Sequence, residues 1–154
     1  MKKIIGFLLL FLFTLATLLA ISLSNSLPSW TESIRLPLLC ILAGGFGGTV
    51  YCLRAVYLNA CVHKHWDDEW QPWYYIRPFV SLVCGGISWL FLKAGLLILE
   101  AAPSESATEL GFYALAFIAG LNVDKFISKI EDIAQAAWGI EKSRASKGSE
   151  ASEK

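Results

Sequence analysis

The sequence predicts an all-α, polytopic membrane protein with about four transmembrane helices and a cytoplasmic amphipathic helix at its C-terminal end. Three observations carry this. Of 154 residues, 55% are hydrophobic and only 17% charged, whereas a soluble domain is nearer half apolar and a quarter charged. Apolar runs recur at lengths near the ~20 residues that a helix needs to cross a bilayer core. Lysine and arginine are spread unevenly along a chain whose net charge is zero.

The expected transmembrane domain covers 1–122, with spans at about 4–23, 36–58, 76–99 and 108–123. The first run, Ile4 to Leu23, follows Lys2 and Lys3 and ends near Ala20-Ile21-Ser22. It is longer than the ~7–15 apolar residues of a signal peptide, which favours an uncleaved anchor over a cleaved leader. A short polar connection with Pro28 and Trp30 leads to the second run. Its centre is Gly44-Gly45-Phe46-Gly47-Gly48. Glycine weakens an isolated helix, but Gly44 and Gly48 form a small-xxx-small pair that lets two backbones approach closely. A phosphate-binding loop is excluded, because no Lys-Ser/Thr follows these glycines.

The third run begins beside Trp73-Tyr74-Tyr75-Ile76-Arg77-Pro78. Pro78 is expected to open the helix and to push Arg77 off helical geometry, which marks Arg77 as the membrane border. Ser81, Gly85 and Ser88 share a face at the 3.6-residue period, the natural partner for the glycines of the second run. Lys93 falls inside this expected span. It either faces a water-filled space as a pore residue or snorkels and pairs with Glu100 or Glu109. The fourth run is short and contains a further small-xxx-small pair, Ala116 and Gly120.

Beyond it, Asn122 is a candidate N-cap and Asp124 suits a first helical turn. Phe126, Ile130, Ile133, Ala137 and Ile140 recur in a heptad rhythm, widened by Ile127, Ala134 and Trp138. This predicts an amphipathic helix over 123–141 and a disordered tail over 142–154. Its polar side is balanced in charge, unlike the Lys- and Arg-rich face usual on anionic membranes. The stripe, with Phe126, Ile130, Ile133, Ala137 and Trp138 as contact residues, is therefore expected to bind protein.

With four spans and a cytoplasmic N-terminus, Lys2, Lys3, Arg54, Lys64, Arg77, Lys125 and Lys129 all fall inside, and Arg35 alone occupies an outer loop. This positive-inside bias predicts both termini in the cytoplasm of a cell inner membrane.

Few residues here suit chemistry. The 59–75 segment holds Cys61, His63, His65 and three carboxylates, all of them zinc-ligand types. The spacing matches neither paired cysteines nor paired histidines, so Cys61, His63 and His65 are remote metal candidates only. Trp66, Trp70 and Trp73 would form one interfacial face in a helix. Four cysteines without CxxC spacing argue against a disulfide framework. No cofactor is implied, and no direct contact with nucleic acid is expected.

The pattern Ile76-Arg77-Pro78-Phe79, Gly85-Gly86, Lys93-Ala94-Gly95-Leu96-Leu97 and Ala116-Phe117-Ile118-Ala119-Gly120-Leu121 resembles one found in small, uncharacterised bacterial multi-span proteins. The resemblance covers roughly the second half of the chain. It implies membrane architecture and carries no activity.

These readings lead to an expectation of a non-enzymatic, self-associating inner-membrane protein that forms a pore or perturbs the membrane. Effectors of bacterial defence systems offer an analogy. The alternative is an anchor or adaptor that recruits a soluble cytoplasmic partner through 59–75 and the helix at 123–141. A metal-dependent membrane enzyme is the remote third. The expected partners are the lipid bilayer, further copies of the chain and a soluble protein.

Overall fold

The computed structural model describes residues 1–23, 32–64, 68–96, 105–141 and 143. The described residues form five α-helices: α1 (Lys2–Leu23), α2 (Glu32–Tyr57), α3 (Gln71–Lys93), α4 (Glu105–Leu121) and α5 (Val123–Trp138). A π-helical turn, Leu58–Val62, extends α2, and one 3₁₀ turn, Asp68–Trp70, precedes α3. Among the described residues three helices are long and apolar enough to cross a membrane, or four if α4 and α5 count as one bent span. α4 alone has 17 residues, about 25 Å of helix, short of a hydrocarbon core of ~30 Å.

Several boundaries differ from the sequence expectation. α3 begins at Gln71 and ends at Lys93, earlier at both ends than 76–99. Pro72, in the first turn, opens it, where a missing N–H costs little. Pro78 lies inside the helix instead. Arg77 is accordingly helical and not pushed aside. The clash of a proline with its predecessor is a bias, and here Pro78 and Ser81 are fully buried among neighbouring helices, which hold the backbone in place. The Ser81 hydroxyl lies within bonding reach of the Arg77 carbonyl one turn back (2.9 Å) and of the Gly120 carbonyl on α4 (3.0 Å). Gly95, at φ +72°, follows the end of α3 in a left-handed conformation that suits glycine.

α2 is the central element. It packs on α3, on α4 and, less extensively, on α1. The α2–α3–α4 contact is built from absent side chains. A Cβ on Gly44 would stand 2.5 Å from the Ser81 carbonyl and 2.6 Å from the Gly85 Cα. One on Gly120 would overlap the Gly44 carbonyl, and one on Gly47 the Phe117 carbonyl. One on Gly48 would overlap the Ser81 side chain. At such approach distances the backbones themselves are the packing surface.

α1 lies against α2 and, more lightly, α3, with Ile4, Leu8, Leu15 and Ser22 buried along its length. Ile4 and Leu8 form a buried cluster with Cys52 and Val56 of α2 and Tyr74 of α3. Ring contacts from Phe7 to Tyr75 (5.0 Å) and Phe11 to Phe79 (5.4 Å) continue it. These contacts bring the start of α1, the end of α2, the start of α3 and the end of α4 to one end of the bundle. The opposite end holds Arg35, whose Nε donates to the Ser22 carbonyl at 3.2 Å.

At Asn122 the chain leaves helical geometry (φ −122°, ψ 56°), and α5 departs from α4 with a bend of 110°. Asn122 holds the N-cap position, but its side chain makes no capping bond. α5 stops at Trp138, short of the expected 141, because Gly139 adopts φ +69° and donates its N–H to the Gln135 carbonyl.

Candidate functional site

The site assembles where α3 begins and α5 departs. Trp73 and Arg77 lie one helical turn apart on α3 and so project from the same face. Tyr51 of α2 meets them from across the bundle, its ring 6.0 Å from that of Trp73. The Arg77 guanidinium sits over both rings, 5.1 Å from the centroid of Tyr51 and 5.2 Å from that of Trp73. Both distances are within the ~6 Å reach of a cation–π interaction. Arg77 is only 6% exposed. Its Nη1 donates to Asp124 Oδ2 at 2.8 Å, an ion pair that ties α3 to the first turn of α5. The Asp124 side chain is 80% exposed, so one end of the pair is buried and the other open. Arg77 Nε is buried and has no acceptor among the described residues. Beneath, Asn59 Nδ2 donates to the Tyr74 hydroxyl at 3.0 Å, which fastens the π-helical turn to α3.

Beside the ion pair lies a cavity of about 250 Å³, walled by Trp73, Ile76, Arg77 and Val80 of α3 and by Val123, Asp124 and Ile127 of α5. A second, apolar groove of about 410 Å³ runs between α2 and α3 toward the other end, past Pro37, Ile41, Gly86 and Trp89.

The structure gathers some sequence-derived site residues and separates others. Gly44, Gly48, Ser81, Gly85, Ala116 and Gly120 are all buried, and the glycines and Ser81 meet one another within one chain. Ser88 is buried too, its hydroxyl donating to the Gly85 carbonyl at 2.7 Å. Lys93 is exposed in the last turn of α3, not deep within a longer span. A cation there opposes the negative end of the helix dipole. Its expected partner Glu100 lies outside the described residues, as do His65 and Trp66 and all of the tail except Ser143. Cys61 and His63 are exposed, and among the described residues no three metal-ligating side chains come together.

Trp70 is exposed while Trp73 packs under Arg77, so these two do not share one interfacial face. The break between the 3₁₀ turn and α3 falls between them. Along α5, Val123 is buried in a cluster with Cys84 and Ala119, Phe126 packs against that cluster, and Ile130 and Ile133 are half-buried. Ala137 and Trp138 are exposed.

Sequence reasoning missed the Arg77–Asp124 pair and the place of the Tyr51 ring beside it, and it did not single out Gly47, which meets the Phe117 carbonyl of α4, from its glycine run. One signal was present. An arginine next to an apolar run needs a counter-charge or rings to shield it, and Trp73 stands four residues before it. Among the described residues no nucleophile sits beside a base in this cluster. Its chemistry is that of a cation held in place by two rings and a carboxylate.

Fold and site together define an all-helical chain with three or four helices able to cross a membrane and a buried arginine cluster at one end of the bundle. No protein-family model, curated protein or solved structure matches the chain.

Proposed function

We propose that the chain is a non-enzymatic, multi-span protein of the cell inner membrane, an anchor that fixes α5 along the cytoplasmic face for recruitment of a soluble partner. The observation that carries this reading is the junction at Asn122. There the chain turns by 110°, with Val123 buried and Asp124 bound to Arg77. If α4 stands along the membrane normal, a 110° bend leaves α5 about 20° (110 − 90) from the membrane plane. The face of α5 that bears Val123 and Phe126 looks back into the bundle, and Ile130, Ile133 and Ala137 continue the same face. Past the edge of the bundle that stripe meets lipid, where its charge-balanced polar side had suggested a protein partner, because Val123 and Phe126 already turn this face toward the membrane-spanning helices. Lys125 and Lys129 are exposed along the flank of that stripe, and this flank is left for a partner together with Trp70 and His63.

Charge supports the orientation. Lys2, Lys3, Arg54, Lys64, Arg77, Lys125 and Lys129 gather at the end of the bundle where α5 departs, against Arg35 and Lys93 at the other. This is the asymmetry of the positive-inside rule, with both termini inside and α4, about 5 Å shorter than the hydrocarbon core, crossing where the bilayer thins to meet it. The self-associating pore reading drew on a lysine deep in a span. α3 ends at Lys93, and the glycine faces that suited subunit contact are filled by this chain's own helices, so the anchor reading has the better support.

Single cysteines at positions 93, 125 and 133, in a chain whose natural cysteines are replaced by serine or alanine, test this. In intact cells an impermeant thiol reagent should reach 93 and not 125. In the purified protein in liposomes opened by detergent, 125 should react fast and 133 slowly. Labelling of 125 from outside overturns the topology, and equal rates at 125 and 133 overturn the in-plane helix.

A further inference from the structure

We propose that the cavity between α3 and α5 holds the headgroup of a membrane phospholipid bearing a phosphodiester and a primary ammonium, with Arg77 binding the phosphate and Asp124 the ammonium. This rests on the membrane reading above and adds a ligand to it.

Four features of the site point there. Arg77 is more than nine-tenths buried, and the described residues do not satisfy its guanidinium. Nη1 bonds Asp124, and Nε has no acceptor among the described residues. A buried donor without a partner in an otherwise well-packed region asks for a group that the polypeptide does not supply, and phosphate is an acceptor that matches the planar donor fork of arginine. Second, the cavity is bounded by a cation and an anion side by side, 2.8 Å apart. A simple phosphate would be held by Arg77 and repelled by Asp124. A headgroup with both signs is matched by both. Asp124 is open enough to accept from an ammonium without leaving Arg77.

Third, the remaining walls are Trp73, Ile76, Val80, Val123 and Ile127, and Ile76 and Ile127 are 59% and 40% exposed. Such walls suit the glycerol and first methylenes of a lipid and offer nothing to a water-soluble phosphate ester. Fourth, the cavity holds about 250 Å³, below the roughly 300–1,000 Å³ of sites that enclose a whole drug-sized ligand. It has room for a headgroup, with the chains left in the bilayer. Its depth agrees. Arg77 lies two turns into α3, at the end where α5 runs along the membrane, which is headgroup level. Trp73, whose ring lies against the guanidinium, is a residue type found at that level.

The test uses the full chain, delipidated in detergent. Binding is read by native mass spectrometry and by the rise in melting temperature on adding phosphatidylethanolamine, phosphatidylglycerol, soluble phosphoethanolamine or inorganic phosphate. Phosphatidylethanolamine should remain bound and raise the melting temperature most. The two water-soluble compounds should do neither. Arg77→Lys should weaken phosphatidylethanolamine about tenfold, the loss of one charge-assisted hydrogen bond. Since an altered Arg77 can also loosen the fold, Asp124→Asn gives a result of opposite sign. It should lower the preference for phosphatidylethanolamine over phosphatidylglycerol about threefold, as loss of one exposed ion pair does, and strengthen phosphatidylglycerol.

Equal retention of both lipids by the wild type, unchanged in Asp124→Asn, overturns the proposal. So does saturation by inorganic phosphate alone, which would make the site a free-anion site. A spin label at Val83, exposed on α3, separates the two levels of inference. If it is reached by oxygen and shielded from a water-soluble nickel chelate, the membrane reading stands and only the lipid assignment is at stake. If the chelate reaches it, the membrane reading itself falls.

Discussion

The seam where α2 meets α3 and α4 and the junction where α5 meets α3 are held by opposite means. In the seam, side chains are missing. Gly44, Gly47, Gly85 and Gly120 bring three backbones into contact, and Ser81 adds a hydroxyl that bonds across to the Gly120 carbonyl. At the junction one long charged side chain reaches past two aromatic rings to a carboxylate that is mostly in solvent. A backbone contact cannot slide without moving a whole helix. An ion pair with one exposed end can open while the helices stay put. The molecule thus joins a bundle held by backbone contact to a helix held by one half-exposed ion pair together with buried Val123 and Phe126, an arrangement that suits the anchor proposed above.

Adding one methyl group to the seam should produce the largest effect. In Gly120→Ala the new Cβ would overlap the Gly44 carbonyl, and in Gly44→Ala it would meet the Ser81 carbonyl and the Gly85 Cα. None of these atoms is the end of a flexible chain. Each variant should lose about 3 kcal/mol, the upper range for overpacking, read as a shift of reversible unfolding in mixed detergent micelles. A loss below ~1 kcal/mol would mean that the three backbones do not touch as described.

Next is Asp124→Asn. It leaves the buried Arg77 without a counter-charge, which in a closed interior costs several kcal/mol. The Asp124 end is 80% exposed, and solvent screening brings the expected loss down to about 1 kcal/mol. The pattern of the loss matters more than its size. Amide exchange should speed up along α5 and stay unchanged at Ser81 and Gly85. Uniform acceleration would show that junction and seam open as one unit.

This division also explains what the sequence disclosed. The seam was legible because close packing of helices leaves a local trace. Small residues four apart on one face, as in Gly44 and Gly48 or Ala116 and Gly120, declare a contact without naming the partner. The stripe of α5 was legible for the same reason. The junction was not. Arg77 and Asp124 are 47 residues apart, and nothing in their spacing joins them. Each had a sufficient local explanation, as a membrane-border arginine and as a first-turn aspartate. Helix ends misled in a related way. Hydropathy carried α3 on to residue 99, but its end is set by backbone conformation, with Gly95 at φ +72°. At the start of α3, Pro72 was a better marker than Pro78, because proline is tolerated inside a helix once neighbouring helices pack around it.

A smaller effect is expected one residue from the seam. The Cβ of Gly45→Ala would meet the Leu82 side chain at its terminal methyl, with Leu15 Cδ1 at 3.3 Å. Both are ends of rotatable side chains and can turn away. A loss of about 1 kcal/mol or less is expected in the same unfolding experiment, the lower range for overpacking. If Gly45→Ala costs as much as Gly44→Ala, the cost belongs to the crowded region in general and not to backbone contact.

The smallest effect should have the opposite sign. Gly6 lies within α1, and a Cβ placed there meets nothing within 4 Å. Alanine then adds no contact to either state and removes only the extra backbone freedom that glycine loses on entering a helix. That freedom is worth roughly 0.5–1 kcal/mol in water. Where the unfolded state in detergent is already partly helical, a few tenths should remain. Gly6→Ala should therefore stabilise slightly, while Gly120→Ala, the same chemical change in another helix, should destabilise severalfold more strongly. The pair of signs isolates geometry from chemistry. If Gly6→Ala also destabilises, glycine is serving α1 in some way other than by leaving space, and the contrast between a seam made of absent side chains and the rest of the bundle loses its basis.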